Sequence, residues 1–369
     1  MFKSTGNKRP RGHVTDTECR PDVIAAFDWA PDDSDITLWP CIQLAGEKAS
    51  KGKSRQNQQK QAISYLHYIL LARPDLHVAQ GLLTFEDGVT LYFGIAGYGV
   101  RSFTVRWSDD SLYGLIYAFV YRLYEPAEFA DPSYVNMIPN WEKNLATYTM
   151  RITEKAGVGV ETVKECPGFE PIYASNPFET RTHIFSNPHS RVMVDGKLLT
   201  VLKDQLCRLE TRFDEHTILT HIHDQKKVPG VVEAVYYEQT LIPPSLPSRK
   251  QRGRRRIGLG QFGRPFSSIS TLQQMLEIVF DILEGALTSI DPVLPAHMFA
   301  VLRYLRFKRQ VLHRDISKGN VVYLNDNTPS TPMQPVGSAL TSSAGPSSAV
   351  DTKEVSPCFI KYLLGERYV

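Results

Sequence analysis

The residues best suited to chemistry lie late in the chain, in Val311-Leu312-His313-Arg314-Asp315-Ile316-Ser317-Lys318-Gly319-Asn320-Val321-Val322-Tyr323-Leu324. The pattern predicts a short apolar strand, a polar loop and a second apolar strand. Asp315 can accept or orient a hydroxyl proton. Asn320, five positions on, offers a neutral oxygen ligand to a magnesium ion beside it. A tight loop anchored by strands would hold both side chains on one wall of a cleft, as transfer of a phosphoryl group to a hydroxyl requires. The plainer alternative is a hairpin in which Asp315 caps a turn.

A second chemical position is Lys203, at the predicted exit of a strand over 198–202 and ahead of a helical segment. An ammonium there could bind phosphates if the helix supplied a carboxylate partner. Glu210 and Glu215 compete for that role. Glu215 shares a stripe with Ile218, Leu219 and Ile222, at offsets of three, four and seven, and a carboxylate on an apolar face needs a cation. Glu210 lies off the stripe and reads as solvated. Lys203 could equally be a surface lysine at a strand end.

The elements that would position these residues follow from periodicity and breakers. Residues 1–20 are basic and poor in apolar groups, which predicts a disordered tail. Residues 21–145 predict a small α+β domain. It has a strand over 36–44 and a helix whose stripe is Ile63, Leu66, Ile69 and Leu70, stopped by Pro74. A hairpin turns at Asp87-Gly88, a strand covers 100–107, and a helix capped by Asp109 or Asp110 runs to Tyr124. A nuclease site built on Asp32, Asp33, Glu47 and Lys48 fails, because Gly46 stands where a second carboxylate should be; the Glu47-Lys48 pair reads as a solvated strand end.

Residues 146–242 predict short strands over 148–153, 161–165 and 182–185, and a central strand over 231–237. The run 243–268, with Arg249, Arg252, Arg254, Arg255 and Arg256, carries too much like charge to bury itself and reads as an exposed loop. It has no interleaved aromatics, which argues against nucleic-acid binding as its role. Two helices then precede the Asp315 loop within 269–369, and 325–357 is a low-complexity Pro/Ser/Thr/Gly-rich insert.

Composition sets the remaining bounds. The 369 residues carry a net charge of +3 and five scattered cysteines. No Cys-x-x-Cys pair, bilayer-length apolar run or leader is present, which predicts an intracellular protein, cytoplasmic or nuclear, that does not enter membranes.

The form His313-Arg314-Asp315-Ile316-Ser317-x-Gly319-Asn320 resembles the signature of the fungal-type protein kinases. So do Val201-Leu202-Lys203-Asp204-Gln205, Val228-Pro229-Gly230-Val231 and Ala72-Arg73-Pro74-Asp75. The resemblance implies an α+β, two-lobed protein-kinase-like fold behind an N-terminal domain, with a small lobe at 146–242 and an incomplete large lobe at 269–369. It implies ATP and Mg2+ as cofactors and a protein substrate, Ser/Thr more than Tyr. Asp315 would be the base, Asn320 a metal ligand, Lys203 the phosphate contact and Glu215 its partner. The chain departs from the family in three places. No glycine lies in 176–186, Ser317 replaces a frequent lysine, and no D-F-G-type aspartate precedes Val369, so the chain is expected to be truncated before that motif. A non-catalytic, pseudokinase-like binding or scaffold module is the alternative.

Overall fold

The computed structural model describes residues 2–4, 8–13, 19–26, 37–50, 52, 54–125, 129–155, 161–187, 191–208, 214–224, 231–241, 252–260, 264–265, 271 and 322–323. The chain divides into two compact bodies, Met1–Arg212 with Val235–Gly260, and Phe213–Ala234 with Gln261–Val369. The described chain is mixed α+β and mostly sheet.

In the first body, β1 (Phe2–Ser4), β2 (Val23–Ala26), β3 (Ile42–Lys48), β4 (Val78–Thr84), β5 (Gly88–Ile95) and β6 (Gly99–Arg106) form one sheet in chain order. Only β3 and β4 are parallel, and α1 (Arg55–Ala72) makes the crossover between them. Ser54 caps α1 by accepting the Asn57 N–H at 3.3 Å. The helix stops at Ala72 because Pro74 disfavours helical geometry at Arg73, which adopts φ −121° and ψ 78°.

Alternation along β5 separates two cores. Tyr92 faces α1 with Leu66, Ile69 and Leu70. Val89 and Leu91 face α2 (Leu112–Tyr124) with Leu112, Phe119 and Leu123. Each such side chain contributes roughly 1.5–3 kcal/mol on burial. The sheet approaches α1 closely at Gly81 and Gly94, where an added Cβ would lie 2.9 Å from Leu66.

The second sheet of this body contains β7 (Tyr134–Asn140), β8 (Leu145–Lys155), β9 (Glu161–Ala174), β10 (Arg181–Ser186), β13 (Val201–Arg208), β14 (Ala234–Leu241) and β15 (Arg252–Leu259). Its spatial order is β14-β15-β13-β10-β9-β8-β7. A small hairpin, β11 (Val192–Val194) and β12 (Lys197–Leu199), packs Val192, Val194 and Leu199 beneath it with Tyr148, Phe169, Phe185 and Leu202. The second body contributes α3 (Glu215–His223) and the paired β16 (Arg264–Pro265) and β17 (Val322–Tyr323).

The two sheets of the first body share α1. A helix leaves its last carbonyls without internal partners. Here His183 Nε2–H donates to Leu71 O at 3.0 Å and the Tyr148 hydroxyl donates to Ala72 O at 2.9 Å. Side chains of the second sheet therefore finish the helix of the first.

Several sequence expectations need correction. The N-terminal segment is not wholly free: Phe2–Ser4 pairs with β2, and Arg11 bridges to Leu38. The strand expected over 36–44 is a 3-10 turn at Trp39–Cys41 followed by β3. Glu47 is buried and accepts the Tyr65 hydroxyl at 2.8 Å, so it is no solvated strand end. The second sheet already begins at Tyr134, ahead of the boundary placed after 145. The strand expected at 231–237 is β14, on the sheet's edge.

The largest correction concerns the basic run. Residues 252–259 are β15, paired along its length with β13, and Arg254, Arg255 and Arg256 are buried. Like charges can be buried when they meet counter-charges or good acceptors: Arg254 and Arg256 meet Asp131 and Asp204, far away in sequence, and Arg255 donates to Gln239 Oε1 at 2.9 Å.

Candidate functional site

Strand β13 carries the candidate chemistry on one face and its anchorage on the other. Lys203 lies in mid-strand, five residues short of the strand's end at Arg208, rather than at the exit the sequence suggested. It stands opposite Ile184 of β10 and Ile257 of β15 and is only 5 % exposed. An ammonium among aliphatic neighbours is partly stripped of water, which strengthens its attraction for an anion.

Its neighbour Asp204 points to the opposite face, since side chains alternate along a strand. There Arg256 donates through Nε to Asp204 Oδ2 at 2.9 Å, and the Tyr134 hydroxyl donates to the same oxygen at 2.7 Å. Arg256 has no accessible surface. Its remaining nitrogens reach Arg151 O at 3.1 Å and Ser133 Oγ at 2.7 Å, and its guanidinium lies over the Tyr134 ring at 4.9 Å. Arg254 pairs with Asp131 and Ser133 and extends to Glu238 at 3.5 Å.

The charges of this cluster hold one another in place. Burial alone would raise Asp131 and Asp204, but the guanidiniums of Arg254 and Arg256 outweigh it and keep both carboxyls below their usual range. Burial likewise opposes the charge on Arg256, and Asp204 and Asp131 more than restore it. His77 lies 4.0 Å from Asp131, yet burial drives it down to about 4, so it is neutral near pH 7. Four ionised groups are thus balanced inside the protein, behind the strand that carries Lys203.

The remaining sequence-derived site residues are distributed as follows. Glu215 is the first residue of α3, where its charge complements the helix N-terminus. Leu219 and Ile222 of its stripe are buried. Lys203 and Glu215 belong to different bodies. Asp315 and Asn320 lie outside the described residues, as do Glu210 and the insert 325–357. Among the described residues no group of three His, Cys, Asp or Glu could hold a metal ion, and no helix is long and apolar enough to cross a membrane.

The turn between β9 and β10, where a glycine-rich phosphate loop was sought, is tied down instead. Pro177 O accepts the Gly97 N–H at 2.6 Å, and Phe178 packs against His67 and the α1 core. A cavity of about 220 Å³ lined by Gln43, Arg73, Asp75 and Tyr134 does not include Lys203.

Sequence reasoning missed Asp131, Asp204, Arg254 and Arg256. The available signal was compositional: a strand-compatible Arg-x-Arg-Arg-Arg-Ile-Gly-Leu run in a chain whose Asp204 lies between the apolar pair Val201-Leu202 and Leu206. Comparison with protein-family models, with curated proteins and with solved structures finds no match.

Proposed function

We propose that the chain is an intracellular phosphotransferase of the protein-kinase type, moving the γ-phosphate of ATP to a protein hydroxyl, Ser/Thr more than Tyr. The observation that carries this reading is the setting of Lys203. It is a buried ammonium on β13, the fifth in chain order of the seven strands of the second sheet, and the next helix, α3, begins with Glu215. Protein kinases keep the phosphate-binding lysine on a sheet strand and its carboxylate partner on the helix that follows.

In this reading Lys203 binds the α- and β-phosphates and Glu215 orients it. Asp315 accepts the hydroxyl proton, and Asn320 ligates magnesium. The ion supplies charge neutralisation between the phosphates when bound. The burial of Lys203 between Ile184 and Ile257 supports its part, since a partly desolvated cation attracts an anion strongly.

A second reading, a pseudokinase-like binding module, is favoured by the β9–β10 turn. It lacks glycine and is fastened to the N-terminal sheet through Pro177 and Phe178. A loop so held has no backbone free to fold over phosphates. Transfer of labelled γ-phosphate from Mg-ATP to a general protein acceptor separates the two. Incorporation well above an Asp315→Asn control supports the enzyme, and incorporation equal to that control leaves the binding module.

A further inference from the structure

We propose that the outer face of α2 is a homodimer interface, on which the helix crosses its own copy antiparallel about a two-fold axis near Tyr117 and Ala118. The inner face of α2 is spent on the core through Leu112, Phe119 and Leu123. The outer face is aromatic and open: Tyr113 is 84 %, Tyr117 71 %, Tyr121 48 % and Tyr124 57 % exposed. On the flank of α2 that carries Leu115 and Ala118, Phe103 of β6 is 50 % exposed and lines an apolar groove of about 350 Å³ with them.

The area is of the right size. These five side chains together expose about three whole aromatic residues. At roughly 150–250 Å² each, that supplies more than half of the ~800 Å² per partner that a stable interface buries. Four of the five side chains share one face of one helix, which is more aromatic exposure than scattered surface residues produce.

The face is also its own complement, which a two-fold interface requires. Gly114 and Ala118 form a shallow trough alongside the tyrosine stripe, and nothing lies within 4 Å of where a Cβ at Gly114 would stand. With the axis between Tyr117 and Ala118, antiparallel crossing sets Tyr121 of one copy over Gly114 of the other. Tyr117 then meets Ala118. Arg122 is the only charged residue of α2, and it lies on the groove side with its guanidinium 5.9 Å from the Phe129 ring, off the tyrosine face. A strongly charged partner would find no counterpart among the tyrosines, whereas a second copy brings no charge to them.

The test is sedimentation equilibrium of the full chain at about 1–100 µM. A dimer is expected for the native sequence, weakened at least tenfold by Tyr117→Glu and by the milder Tyr121→Ala. The unfolding midpoint measured at concentrations low enough to be monomeric should be unchanged, since both side chains point away from the core. A monomer throughout that range would overturn the proposal. So would a dimer indifferent to both substitutions, or a monomeric chain that instead floats with neutral phosphatidylcholine vesicles.

Discussion

Arg256 and Asp204 face each other across β15 and β13, joined by a 2.9 Å Nε to Oδ2 hydrogen bond with no water access to the guanidinium. One residue away, on the other side of the same strand, is Lys203. The N-terminal segments that supply Ser133 and Tyr134 therefore hold the strand that presents the candidate phosphate-binding ammonium.

Removing one member of that pair leaves the other charge buried and unpaired. Arg256→Met and Asp204→Asn should each destabilise the first body by about 3–5 kcal/mol. The double variant should lose clearly less than the two losses combined, because neither charge is then stranded. Urea unfolding of the four proteins closes the cycle, and strict additivity would contradict the pairing.

Acid should loosen the same region before its carboxylates protonate. Burial holds His77 down to about 4 and His183 down to about 3, against about 6.5 unfolded. Between pH 6.5 and those values the unfolded chain binds protons that the native chain does not. Stability therefore rises with pH across the window and falls on acidification, by an amount on the order of a few kcal/mol at pH 4. His183→Gln keeps a donor for Leu71 O and should flatten the slope of unfolding free energy against pH.

Gly12 tests whether the N-terminal segment is anchored. It has φ +75°, and an added Cβ would stand 2.3 Å from Asn144 O. Gly12→Ala should cost about 1–3 kcal/mol and speed proteolysis ahead of Pro21. A segment free in solution would be indifferent to the change.

Local features of the fold were legible because their causes are local. The α1 stripe with its Pro74 stop, the Asp87-Gly88 turn and the apolar face of α2 are each written within a dozen residues. The cap expected from Asp109 or Asp110 falls instead on Ser111, whose N–H and hydroxyl Asp109 accepts in the turn before α2. The strand β15 was not legible, because three neighbouring arginines signal solvent unless their partners are known. Asp204 is 52 positions away and Asp131 is 123. The strand expected to end at Leu202 runs on to Arg208, past Lys203. Asp204 stays in it because Arg256 and the Tyr134 hydroxyl both bond its carboxylate, and neither partner is near it in sequence.

The measurement closest to the central claim is calorimetric titration of ATP, with and without Mg2+, into the native chain and into Lys203→Met. The account expects saturable binding by the native chain, at least tenfold weaker for the variant, with both proteins unfolding at the same urea midpoint. Equal affinity of the two, or no binding by either, would contradict a phosphate-binding role for Lys203.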